Sequence, residues 1–157
     1  MSIVAEHSHL TIQQVSRHTG LSESALRYYE RIGLIGAVPR DESSGHRRYP
    51  PDLVAAIEAL SCLRGSGMSV QDMRTYVANM RRGLIAAADQ RELFAGHADR
   101  LRCEIARLRL RKRYVSAKAE LWAARERCDA AAESAFTATV HELTAQLLRE
   151  EADLRHA

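Results

Sequence analysis

The chain has no apolar run of about 18 residues, the length a helix needs to cross a bilayer, so no membrane span is expected. Cysteine is scarce: Cys62, Cys103 and Cys128 are odd in number and far apart, which excludes a secreted disulfide framework and fits a reducing compartment. Met1 to Leu10 holds no basic stretch leading into an apolar core, so no signal peptide is expected, and the cytoplasm is the expected location. Catalytic motifs are missing too. There is no glycine-rich phosphate loop, no His-Glu-x-x-His and no nucleophile elbow. Without a positioned nucleophile, acid or base, neither an enzyme nor a cofactor is expected. Lysine is nearly absent, since 21 of the 23 cationic residues are arginine.

What is present fits one compact domain with an extension, in 157 residues of which 46% are apolar. A net charge of +3 is only mildly basic. Through Gly83, however, all ten cations are arginine, against eight acids. Arginine suits bidentate phosphate and guanine contacts better than lysine does.

Thr11-Ile12-Gln13-Gln14 reads as a capping box that opens a short helix, and Gly20 ends it. Ser22 can cap a second helix, whose inner face is Ala25, Leu26, Tyr29 and Ile32 and whose end is Gly33. Two short helices joined by a three-residue turn have the length pattern of a helix-turn-helix, though an ordinary helical hairpin has it as well. Two short segments around Asp41-Glu42-Ser43-Ser44-Gly45 then read as a β-hairpin whose return strand carries Arg47, Arg48 and Tyr49. Beside a helix-turn-helix, such a hairpin looks like a wing that tracks phosphates. Pro50-Pro51 opens a third helix and Ser69 caps a fourth, with Met73, Val77 and Met80 expected inward.

From Leu84 to Trp122 there is no proline, and Gly96 is the only glycine. Phe94, Ala98, Leu101, Ile105, Leu108, Val115, Ala119 and Trp122 recur in steps of four and three, broken only at Lys112. That alternation is a coiled-coil seam. The stretch from Phe94 to Trp122 would be roughly 42 Å long, too long to bury its stripe in a small domain. The simplest partner is a second copy of the chain. The other reading is a helix that folds back on the C-terminal tail. In that tail Phe136, Val140, Leu143, Leu147 and Leu154 keep helical spacing, which predicts an amphipathic helix against the seam.

The blocks TIQQVSRHTGLSESALRYYERIGLI, GHRRY and LRGSGMSVQDM resemble the MerR family of bacterial regulators, strongly from Leu10 to about Gly83 and as architecture through the long helix. The resemblance implies an all-α fold. Its parts are a flexible N-terminus (1–9), a winged helix-turn-helix with a small β-hairpin wing (10–83), an antiparallel coiled-coil dimerisation helix (84–122) and a helical effector tail (123–157). It also implies a homodimer on a pseudo-palindromic operator in double-stranded promoter DNA, distorting that DNA in response to a stress signal. RNA polymerase is then met only indirectly, through the DNA. Carried over by position, Ser24, Arg27 and Tyr28 face the groove or its phosphates, and Arg47, Arg48 and Tyr49 are wing contacts. Thr11 and Ser22, at the helix starts, are counted with them. The expected dimer seam is Phe94, Leu101, Ile105, Leu108, Val115 and Trp122.

The signal is less legible. Cys103 and Cys128 have no close second cysteine, so no metal site is expected. Cys62, in ALSCLRGSGMSV, resembles the single cysteine of some MerR-type thiol and aldehyde responders, and Arg64 lies nearby. The reading favoured by the residues is a small buried side chain between Leu60 and Leu63, since free cysteine is often core, and a redox or electrophile sensor is the candidate alternative. The wing departs from those responders, with Arg47-Arg48-Tyr49 where Arg-Asp-Tyr is usual. An organic ligand or drug in the dimer and tail region, near Tyr114, Trp122 and Phe136, is a further alternative. His7, His9, His97 and Lys112 receive no site role, the last two being expected to be solvated or interfacial. A rival of another class is a coiled-coil scaffold or antagonist without DNA binding, which steep salt dependence of DNA binding would exclude.

Overall fold

The computed structural model describes residues 9 to 155, with only the backbone of Leu154. The expected flexible N-terminus therefore lies outside the described residues except for His9, as do His7 and the Leu154 side chain. Six α-helices are found among the described residues: α1 (Ile12–Thr19), α2 (Glu23–Arg31), α3 (Pro51–Gly65), α4 (Val70–Arg82), α5 (Ala87–Glu126) and α6 (Ala130–Arg155). They fall into two compact units, one through Ala95 and one from Gly96, with α5 running through both.

The first unit is built on local signals that the sequence carries openly. The Gln14 amide donates to the Thr11 hydroxyl (3.3 Å), and the Thr11 amide donates back to Gln14 Oε1 (2.8 Å). Such a cap contributes about 1 kcal/mol. Gly20 then takes the left-handed conformation (φ 73°) and turns the chain into α2. The Ser22 hydroxyl accepts from the Ala25 amide (3.1 Å). Val15, Leu26, Tyr29, Leu34, Tyr49, Ile57, Leu60 and Met73 form the buried centre of one core shared by α1 to α4. Covering each such side chain stabilises the fold by roughly 1.5–3 kcal/mol. Met80, expected inward, is exposed. One position earlier Asn79 is buried instead, its amide donating to Gln90 Oε1 (3.0 Å), so a hydrogen-bonded polar side chain holds the start of α5 to α4.

The expected β-hairpin is reduced. No regular strand forms among the described residues. The segment has isolated antiparallel bridges, Arg40 with Arg47 and Leu10 with Tyr49. Asp41 takes over the role of a turn: its carboxylate accepts from the hydroxyls and amides of Ser43 and Ser44 (2.6–3.1 Å). The Ser43 hydroxyl above all, with the Ser44 groups, holds the Asp41 carboxyl far below its ordinary range.

In the second unit, α5 carries two apolar stripes. Leu110, Ala117 and Leu121 are buried against Val140 and Leu143 of α6, with Tyr114, Phe136 and Leu147 at the margin. Ile105, Leu108, Val115 and Trp122 stay 47–64% exposed. Both stripes step by four and three, and they are offset by two residues. At roughly 100° per residue that offset puts them on nearly opposite faces. The tail thus packs as an amphipathic helix, as its spacing predicts, but on the stripe opposite the expected seam. The turn between the helices has Cys128 at φ 55° and Asp129 capping α6 through the Ala132 amide (3.0 Å). His97, expected to be solvated or interfacial, is buried.

Candidate nucleic-acid interface

The burial of Leu26 and Tyr29 fixes which side of α2 faces outward. Ser24, Arg27, Tyr28 and Arg31 share that outer side, at the spacing of one helical face. Tyr28 is 39% exposed, and the Arg31 guanidinium sits over its ring, 5.4 Å from the centroid. The Ser24 hydroxyl lies 2.9 Å from that of Ser22, and the Arg27 guanidinium donates to Glu23 within the helix (2.9 Å). Tyr29 belongs to the core, as its shared face with Leu26 and Ile32 predicts.

Beside this face lies a concavity of about 300 Å³. The first turn of α1 (Thr11, Ile12, Gln13) forms one wall. Arg27, Arg40, Arg47 and Arg48 line the rest, with His46. The amides in a helix's first turn lack intrahelical acceptors, and the dipole there favours an anion. Four guanidiniums and a helix N-terminus around one hollow suit a phosphate.

Acidic neighbours hold these arginines in place. Arg47 Nε donates to Glu30 Oε2 (2.7 Å) in a largely buried pair, and the Val38 amide donates to Glu30 Oε1 (3.2 Å). Burial alone would raise the Glu30 carboxyl, but the hydrogen bonds from Arg47 and Val38, with the charges of Arg47 and Arg40, leave it below its ordinary value. Arg47 keeps donors beyond the one committed to Glu30. Arg48 lies 3.5 Å from Asp41, and Arg40 donates to the Gly45 carbonyl (3.1 Å).

The structure thus brings Thr11, Arg27, Arg47 and Arg48 together around the hollow, and sets Ser22, Ser24 and Tyr28 at the start and along the outer side of α2. Tyr49 is corrected. It is fully buried, with its phenol pushed upward by desolvation, because the bridge to Leu10 turns the ring into the core. A side chain with no exposed surface cannot touch DNA. Sequence reasoning missed Arg31, Arg40 and His46. The α2 spacing could have found Arg31, and the pairing of Arg40 with Arg47 across the turn could have found Arg40.

Cys62 is exposed, so the buried packing role does not hold. Its neighbours Ser61 and Leu63 are the half-buried ones, with the Ser61 hydroxyl donating to the Thr19 carbonyl (2.6 Å). Along the expected seam, Leu101 is half-buried and Ile105, Leu108, Val115 and Trp122 are open. Phe94 instead meets Tyr76 of α4 edge-on, with centroids 5.9 Å apart.

Residues 10–80 match the family model described as MerR HTH family regulatory protein. The chain is 34% identical over 92 residues to the HTH-type transcriptional regulator AdhR of Bacillus subtilis, covering 59% of this chain and 65% of that one. It is 30% identical over 105 residues to an uncharacterized HTH-type transcriptional regulator of Haemophilus influenzae, covering 67% of this chain and 75% of that one. Among solved structures it is similar to HiNmlR, a MerR family regulator lacking the sensor domain and bound to promoter DNA. That likeness has a TM-score of 0.62 and 27% identity, over 74% of this chain and 89% of the other.

Proposed function

From the premise that this chain belongs to the MerR family of helix-turn-helix transcription regulators, we propose that it acts in the cytoplasm as a homodimer that binds and distorts a pseudo-palindromic promoter operator. The outer side of α2 enters the major groove, with Ser24, Arg27 and Tyr28 against its edges or phosphates. Thr11 and Ser22 sit at the helix starts, beside amides that can take phosphate oxygens. The arginine hollow, with Arg47 and Arg48 from the expected wing, grips the backbone alongside. The homodimer pairs through Leu101, Ile105, Leu108, Val115 and Trp122, with Phe94 left to its own unit. RNA polymerase senses the protein through the altered DNA. Most of these contacts position the protein without reading bases, so sequence preference leans on DNA deformability as well.

The observation that carries this reading is the convergence of the α1 N-terminus with Arg27, Arg40, Arg47 and Arg48. The test is DNA affinity against salt, using DNA from upstream of the chain's own coding region with an unrelated duplex as reference. Each phosphate contact contributes about 0.9 to the slope of log affinity against log salt. Arg48→Ala should therefore lower the slope by about 0.9 per protomer on both duplexes. An unchanged slope overturns the assignment of the hollow.

A further inference from the structure

We infer that the groove between α5 and α6 binds a small organic anion with an apolar body, a carboxylate or sulfonate of about the bulk of an eight- to ten-carbon chain. The groove lies wholly within the second unit and has a volume of about 500 Å³, in the range of small-molecule sites. Phe136, Leu143 and Ala117 give it an apolar floor. Arg109, Lys112 and Arg113 stand along one end, and Glu120 stands toward the other.

The cations are the telling part. Arg107, Arg109, Arg111, Lys112 and Arg113 crowd two turns of helix without an intervening acid. Like charges three and four residues apart repel on a helix, by a few tenths of a kcal/mol per pair. Arg102 and Arg125 have counter-ions, Asp99 at 2.7 Å and Glu133 at 2.8 Å, but no cation of the run from Arg107 to Arg113 has one among the described residues. An anion in the groove would supply one to Arg109, Lys112 and Arg113.

Charge also sets the ligand's direction. From the middle of the cationic turn to Glu120 is roughly 13 Å along the helix. A head group with one negative charge meets the guanidiniums, the apolar body crosses Phe136 and Leu143, and the Glu120 carboxylate rejects a second anionic group at the far end. The groove runs across the flank of α5 from the α6-facing stripe to Lys112, at the interrupted step of the open stripe, so a ligand there leaves the α6 packing in place and borders the proposed dimer interface.

The test is calorimetric titration of the full-length protein, without DNA, with octanoate, octanol and acetate. Octanoate should bind saturably, one per chain, and the other two at least tenfold more weakly, since each lacks one half of the recognition. Arg113→Gln should weaken octanoate three- to tenfold. Ser116→Glu should weaken it at least tenfold, because the new carboxylate neutralises Lys112 and Arg113 from an exposed position while supporting the helix. Arg111→Gln, in the same run but outside the groove lining, should change nothing. Equal binding of octanol, or equal losses in the Arg111 and Arg113 variants, would show general hydrophobic or long-range electrostatic attraction and overturn the site. Absence of saturable octanoate binding, or a Ser116→Glu effect only on self-association, would show a groove covered by a second copy of the chain and also overturn it. None of these results bears on DNA binding.

Discussion

Leu108→Ala should weaken self-association of this chain by one to two orders of magnitude and leave its fold intact. Leu108 is 54% exposed in the single chain, in the middle of the open stripe on α5. Full burial of a leucine side chain contributes roughly 1.5–3 kcal/mol, so covering the open half contributes about 0.8–1.6 kcal/mol. A symmetric dimer buries two copies, which brings the total to roughly 1.6–3.2 kcal/mol. At about 1.4 kcal/mol per decade, the dimer Kd should rise roughly 15- to 200-fold. Sedimentation equilibrium over a range of concentrations measures it, and circular dichroism reports the helices. Leu121→Ala is the contrast. Leu121 is 5% exposed and faces α6, so its loss should lower the unfolding free energy by roughly 2–5 kcal/mol and spare the dimer constant. A Leu108 variant with unchanged Kd, or a native chain that stays monomeric at micromolar concentrations, would refute the assignment of the stripe.

Glu30 should make the first unit acid-sensitive. Its carboxyl is lowered in the folded state, so its contribution is present above the unfolded value, ordinarily 4.5, and is lost as pH falls below that through the folded value. Urea melts at descending pH should show this loss, and Glu30→Gln should flatten it; an equally steep profile in the variant would show that other carboxylates carry the effect. Tyr49→Phe should leave DNA affinity unchanged and stability equal or higher by up to about 1 kcal/mol, because the hydroxyl it removes is buried without a hydrogen-bond partner. A fall in DNA affinity would return Tyr49 to the interface. The exposed Cys62 thiol should be alkylated in the native protein. If it is also the sensor, a thiol-reactive aldehyde should change transcription in vitro from the chain's own upstream promoter, and Cys62→Ser should abolish that change. A response that survives the substitution places the signal elsewhere.

The local grammar of the first unit was legible in the residues. Thr11, Ser22 and Ser69 cap helices because short hydroxyl side chains satisfy first-turn amides, and Gly20 and Gly33 take left-handed turns that other residues adopt at a cost. The four-three stepping of α5 predicted a stripe left open by its own domain. Periodicity, however, says that a face is apolar and not what covers it. The same stepping occurs at Leu110, Tyr114, Ala117 and Leu121, and only packing decided that α6 takes this stripe and leaves Leu108 and Val115 open. Alternation in a hairpin is equally blind to side. Arg48 and Tyr49 are neighbours in sequence, yet one lines the hollow and the other is sealed in the core, because the backbone bridge from Leu10 to Tyr49 fixes which way successive side chains point. The arginine hollow has the same origin. Its residues come from α1, α2 and the turn before α3, and no spacing along the chain announces that Thr11, Arg27 and Arg48 will face one another until the shared core brings those elements together.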